Sequence, residues 1–216
     1  MRKFLVKNLI KLKNKYSFIP AQTKGTKLDY TNSVVLNSYT EVPDLYDRAK
    51  KRLFEINDWH SLCGKASAFF YLTDNNGNEK NSFPIKGDHI RIGVPGPKSI
   101  EGSGFDWVEI EEVESSEYTP NRNISYIKVR PSENPFKKNG ITAHFFSSAA
   151  TSTFMVESNN LTVTASYHGR NEFANIKETK GFGEQLRHFA IALGAQAGFS
   201  KVQWKLLINN IVQDKK

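Results

Sequence analysis

The sequence is poor in cysteine, in long apolar runs and in repeated or low-complexity segments. Its 216 residues contain one cysteine, Cys63, which cannot form a disulfide within the chain and so favours a reducing compartment. The longest helical pattern is too polar to cross a membrane, because Arg187, Lys201 and Lys205 interrupt its apolar positions. We therefore expect a soluble, cytoplasmic protein.

Motifs for cofactors and metals are also missing. The five histidines, His60, His89, His144, His168 and His188, are widely spaced, whereas zinc sites usually bring at least two ligands from one short segment. The Gly102-x-Gly104 segment lacks the third glycine of a dinucleotide fingerprint, and no Gly-x-Ser-x-Gly segment is present. We expect no metal and no cofactor.

The basic charge of the chain is confined to its start. The formal net charge is +8, and residues 1–28 carry eight lysines or arginines and no acid, so the remaining 188 residues are neutral. A dedicated nucleic-acid domain would spread its charge over a folded face. The sequence therefore predicts no specific nucleic-acid partner.

Residues 1–27 read as a basic arm and connector before a single α+β domain at residues 28–216. A helix at residues 1–16 would be amphipathic and cationic, and the lysines within it argue against a secretory signal. Three interpretations stay open: an arm folded onto the domain, contact with another macromolecule, or docking on an anionic membrane surface. The residues that would contact the membrane are Arg2, Lys3, Lys7 and Lys11.

The strongest helical signal lies at residues 183–212. Leu186, Phe189 and Leu193 repeat at helical spacing, and a second apolar stripe begins at Trp204. Gly198 separates the two stripes, and Ser200 with Gln203 resembles a capping box. We therefore expect a long C-terminal helix that is kinked or broken near Gly198.

Most of the rest has the alternation typical of strands. A first strand is predicted within residues 28–39, and a helix within residues 43–57 begins with a proline and has apolar residues at helical spacing. Turn residues and period-two patterns then mark eight candidate segments for the six or seven further strands. These lie at residues 66–73, near 83–85, and at 89–94, 107–113, 123–130, 141–146, 153–156 and 161–167.

Candidate functional residues lie at the ends of the predicted strands. His168, Arg170 and Glu172 could move a proton, hold an anion and orient the histidine, respectively, although a turn with exposed charges would explain them as well. His144 would share a face with His168 if their strands were neighbours, or else be a core histidine. Trp107 is a candidate for ligand contact or a core aromatic residue.

The order of elements resembles the helix-grip arrangement of START-like proteins over residues 28–212. That resemblance implies a curved antiparallel sheet of six to eight strands packed on the C-terminal helix; an antiparallel β-barrel with peripheral helices is the alternative. It also implies a cavity for a small apolar or amphipathic molecule, with Leu186, Phe189 and Leu193 at its wall. The other two hypotheses are a hydrolase- or isomerase-like enzyme and a binding module without a cavity that contacts acidic partners.

Overall fold

A computed structural model describes residues 16–65, 67–95, 99–119, 121–175 and 183–213; for residue 118 and residues 183–197 it describes the backbone alone. The predicted contacts of Arg2, Lys3, Lys7 and Lys11 therefore lie outside the described residues, as do the side chains of Leu186, Phe189 and Leu193.

The described chain contains seven strands, three α-helices and one short 3-10 helix. In chain order they are β1 (Thr26–Val35), α1 (Val42–Phe54), the 3-10 helix (Ile56–Asp58), α2 (Trp59–Cys63), β2 (Phe69–Thr73), β3 (His89–Gly93), β4 (Asp106–Thr119), β5 (Arg122–Pro131), β6 (Thr151–Asn159), β7 (Thr162–Glu172) and α3 (Gly183–Val212). The predicted helix that begins with Pro43 is α1.

All seven strands form one antiparallel sheet in the order β1-β7-β6-β5-β4-β3-β2. Six of these strands follow one another as neighbours from β2 to β7, and β1 pairs with β7 over Thr26–Val35. The helices α1 and α2 therefore take the chain from one edge of the sheet to the other. Because β1 and β2 are opposite edges, the sheet is open, which excludes the barrel alternative.

The core lies between the inner face of the sheet and the helices. Alternate residues of each strand point inward, and they meet apolar residues of α1 and of the second half of α3. Trp59 of α2 is at the centre, with ring centroids 4.8 Å from Phe154 and 5.5 Å from Phe70. Trp204 of α3 lies 4.9 Å from Phe154. This packing of a C-terminal helix against a seven-stranded sheet confirms the helix-grip fold.

Of the kink or break predicted near Gly198, the break is wrong, because α3 is one continuous helix through Gly198. A glycine costs a helix only about 1 kcal/mol relative to alanine, and the buried residues Leu207, Ile208 and Ile211 hold this part of α3 on the core. The expected capping box is also absent. Gln203 instead accepts a hydrogen bond from the backbone N–H of Ala68, at 2.8 Å.

Two predicted strands are not formed. The chain after β2 makes one isolated bridge, from Glu79 to Thr73, and β3 is the strand that pairs with β2. Residues 141–146 make one bridge, from Phe146 to Ala174. The backbone N–H and C=O of Ala143 are bonded at 2.8 Å to Ser132 and Trp107, so this segment crosses the end of the sheet.

The last twelve residues of the predicted arm and connector, residues 16–27, are attached to the outer face of the sheet. The Tyr16 hydroxyl donates to Glu157 at 2.5 Å, and Phe18 stacks on Tyr126 with centroids 3.9 Å apart. Near the other end of this segment, Asn171 accepts hydrogen bonds from Thr23. Since β1 begins at Thr26, the boundary predicted after residue 27 falls inside a strand.

The packing of α3 makes a direct prediction about stability. Leu207 is fully buried, whereas its neighbour Leu206 is 40% exposed. We expect Leu207→Ala to lower the free energy of unfolding by about 2–5 kcal/mol, because it leaves a cavity in the core. Leu206→Ala is the matched control and should cost about 0.5 kcal/mol or less. Urea unfolding checks both, and equal losses would contradict the assigned face of α3.

Candidate functional site

A cavity lies between the inner face of the sheet and the middle of α3. Aromatic and aliphatic side chains form most of its wall, and a smaller polar group lies among them. The lining residues with apolar side chains are Trp59, Phe70, Ile90, Ile92, Val94, Val108, Val129, Phe145, Phe146, Phe154, Tyr167, Phe199 and Trp204, and the polar ones are Asp106, His144, Ser152, Ser200 and Gln203.

The cavity is narrow. The space between the lining atoms, including the mouth, amounts to about 600 Å³, but the centre of a water molecule can occupy only about 50 Å³ of it. The two volumes differ because the passage between the aromatic rings is thin and because the larger volume includes solvent at the mouth. The smaller volume still exceeds the ~10–15 Å³ that one water molecule requires.

His144 is held in a defined state at the cavity wall. Its Nδ1 accepts a hydrogen bond from the backbone N–H of Phe146 at 2.9 Å, and its ring stacks on Phe145 with centroids 4.5 Å apart. The side chain is 8% exposed. Burial lowers the pKa of His144 to about 3, so the ring is neutral at cellular pH and cannot act there as a proton shuttle.

A chain of three hydrogen-bonded groups runs from the cavity wall into the protein. Ser152 Oγ lies 3.0 Å from the hydroxyl of Tyr167, which donates to Glu172 Oε1 at 2.9 Å. A Cβ atom at Gly169 would lie 2.2 Å from that carboxylate oxygen, so the glycine makes room for Glu172. Burial raises the pKa of Glu172 and, with the neighbouring Glu172 charge, that of Tyr167.

The other two residues of the predicted polar cluster lie on the outer face of the sheet. His168 and Arg170 contact Asp29 Oδ1 of β1 at 2.6 and 2.7 Å, and Lys27 contacts Oδ2 at 3.2 Å. Burial works to raise the pKa of Asp29, but the hydrogen bonds from these three groups outweigh it and the pKa is lowered. Burial lowers the pKa of His168 despite its contact with Asp29. The charged groups of this cluster are therefore accounted for by their contacts with one another.

The structure therefore separates the residues that the sequence suggested as a group. His144 lines the cavity and Glu172 lies behind Tyr167, while His168 and Arg170 face away. Trp107 also lies on the face of its strand that is turned away from the cavity, and its indole N–H donates to the carbonyl of Gly102 at 3.1 Å. An enzyme that needs His144, His168, Arg170 and Glu172 in one pocket does not fit this arrangement.

Sequence reasoning overlooked several lining residues. Tyr167 belongs to the apolar face of its strand and Trp204 to the second apolar stripe of the helix, so both had a periodic signal for burial but none for a cavity. Ser152 and Gln203 carried no such signal, because their neighbours across the cavity are distant in sequence.

The cysteine is a buried thiol. Burial raises the pKa of Cys63 to about 12, and its thiol donates to the carbonyl of Gln203 at 3.7 Å. Among the described residues, no group of three or more histidine, cysteine or acidic side chains is arranged to hold a metal ion. None of the described helices has both the length and the apolar character needed to cross a membrane.

Comparison with known proteins gives remote likenesses. No family model and no curated sequence matches the chain. Major latex-like protein 151 from Panax ginseng is 10% identical with a TM-score of 0.39, covering 80% of this chain and 96% of that chain. A protein from Staphylococcus epidermidis solved in solution is 14% identical with a TM-score of 0.36, covering 90% and 96%.

A third likeness is to norcoclaurine synthase from Thalictrum, solved as a point mutant in complex with a transition-state analogue. It is 12% identical with a TM-score of 0.33, covering 83% of this chain and 99% of that chain. These similarities are too low to bear on function, and the fold assignment rests on the strand order and register of the chain itself.

The buried histidine makes stability depend on pH. Between pH 6.5 and about 3, the unfolded chain protonates His144 while the folded chain keeps it neutral, so this residue lowers the free energy of unfolding as the pH falls. The loss is about 1.4 kcal/mol per pH unit. We expect His144→Asn, whose amide oxygen can replace Nδ1 as acceptor, to remove this contribution.

Urea unfolding of both proteins across this pH range provides the measurement. Other groups also titrate here, so the informative quantity is the difference in unfolding free energy between wild type and His144→Asn. That difference should change steadily below pH 6.5 in the direction that disfavours the wild type. A difference that stays constant with pH would show that His144 does not have a depressed pKa.

Proposed function

We propose that the protein binds a small apolar or amphipathic molecule in the cavity between the sheet and α3. The observation that carries this proposal is the cavity itself, whose wall consists mainly of aromatic and aliphatic side chains. Transfer of apolar surface from water to such a wall is favourable by about 25 cal/mol per Å². Ligand sites in proteins commonly combine an apolar wall of this kind with a few polar groups.

The size of the cavity limits the ligand. With about 50 Å³ open to the centre of a water molecule, the enclosed part is smaller than the roughly 150 Å³ cavity that can hold benzene, so a ring compound would have to displace side chains of the wall. Larger ligands would have to extend through the mouth. The side on which a ligand would enter is formed by the half-buried members of the wall, which are Val94, Phe145, Phe146, Ser152, Phe199 and Ser200.

Substitution at this entrance tests the proposal. We expect Val94→Trp to lower the affinity for α-methylstyrene, a small apolar ring compound, by about tenfold or more, because the indole occupies the space of the ligand; tenfold corresponds to ~1.4 kcal/mol. Ligand-observed NMR titration measures the affinity.

Val202→Trp is the matched control, since Val202 is 61% exposed on α3 and is not part of the wall. It should bind the compound as the wild type does, and urea unfolding verifies that both variants fold. The proposal fails if the wild type does not bind α-methylstyrene and native mass spectrometry of purified protein also shows no copurified small molecule.

The basic arm supports a second, independent proposal of docking on anionic membranes. Tyr16 is anchored to Glu157 on the outer face, so the residue that follows the arm lies on the face opposite to the cavity. Each basic residue near an anionic membrane contributes about 1 kcal/mol of attraction. Cytoplasmic localisation, with peripheral attachment to a membrane, remains part of this proposal, and contact of the arm with an acidic protein is its rival.

Charge reversal in the arm tests membrane docking. We expect the full-length triple variant Lys3→Glu, Lys7→Glu, Lys11→Glu to lose cosedimentation with vesicles that contain phosphatidylserine, because the side-chain charge of residues 1–15 falls from +6 to 0 and the electrostatic attraction is lost. Vesicles of phosphatidylcholine alone are the control and should bind neither protein. Equal binding of wild type and variant to the anionic vesicles would refute the proposal.

A further inference from the structure

We propose that the ligand of the cavity is an uncharged ring compound with an acceptor oxygen, such as a ketone or an ether, which receives a hydrogen bond from His144 Nε2–H. This inference rests on the proposed function, since it specifies the class of molecule that the same cavity takes. The class of ligand follows from which polar atoms of the wall already have hydrogen-bond partners.

The hydrogen bond at His144 Nδ1 determines the tautomer. Because Nδ1 accepts from the backbone N–H of Phe146, it carries no proton, and the neutral ring must carry its proton on Nε2. No described group accepts a hydrogen bond from Nε2. The side chain is 8% exposed and lines the cavity, so this donor is available at the wall to an acceptor that enters the cavity.

Gln203 adds a second donor to the same wall. Its Oε1 accepts from the backbone N–H of Ala68 at 2.8 Å, which identifies the other amide atom as the NH₂ group. This NH₂ group has no acceptor among the residues that the structure describes, and the side chain is 4% exposed. Two N–H groups of the wall can therefore donate to a ligand.

Some of the other polar groups of the wall already have partners. The hydroxyls of Ser152 and Tyr167 are bonded to each other, and the Tyr167 proton is given to Glu172. Asp106 interacts with another group. An acceptor oxygen of a ligand matches the two available N–H groups at His144 and Gln203.

A neutral oxygen is also favoured over a carboxylate. Burial of an anion in an apolar cavity without a counter-charge is costly, and the lowered pKa of His144 means that its ring supplies no positive charge near neutral pH. The described lining contains no lysine or arginine. The chemistry of the wall thus indicates an uncharged acceptor.

Two ligands of the same shape test this inference. Acetophenone and α-methylstyrene differ in that a carbonyl oxygen replaces a methylene group. We expect the ratio of their affinities to shift against acetophenone by about fivefold to tenfold in His144→Phe relative to wild type, because the phenyl ring keeps the shape but lacks the donor. Comparing ratios removes the difference in how water solvates the two compounds.

A spectroscopic measurement on the unmodified protein decides the matter if His144→Phe fails to fold. In protein with isotope-labelled histidine, acetophenone should move the Nε2–H resonance of His144 as a hydrogen bond forms, and α-methylstyrene should leave it in place. If both compounds bind with an unchanged ratio and an unmoved resonance, the inference is overturned while the proposed function stands. If neither compound binds, the inference is overturned, and the proposed function fails as well when native mass spectrometry shows no copurified small molecule.

Discussion

The packing of α3 across the inner face of the sheet is the interaction on which the rest of the structure depends. Trp204 contacts Phe154 and Trp59, so one indole joins the C-terminal helix, strand β6 and the short helix α2. The same three rings line the narrow cavity.

The two faces of the sheet divide the polar chemistry of the chain. On the inner face, burial keeps His144 neutral and leaves an N–H donor at the cavity wall. On the outer face, Asp29 collects Lys27, His168 and Arg170 into a cluster of ion pairs. Along β7, Tyr167 lines the cavity whereas its neighbour His168 contacts Asp29 on the outer face, since successive side chains of a strand point to opposite faces.

Periodicity in the sequence predicted most of the fold. The alternation in β7 and the helical spacing in α1 and α3 depend on burial of one face, which leaves a direct trace in residue order. The pattern was misleading at two segments whose apolar residues do not form a strand. Phe83 and Ile85 suggested a strand yet are exposed, and residues 141–146 suggested a strand although Ala143 is tied to Ser132 and Trp107 at the end of the sheet.

The sequence by itself determined the class of fold, the boundaries of its main helices and the place of the basic charge, because these follow from local periodicity and composition. Only the tertiary structure decided the site. It placed His144 at the cavity and turned His168 and Arg170 away from it, and it brought Ser152 and Gln203 to the same wall. Such groupings depend on register, bulges and helix packing between distant segments, which no local pattern records.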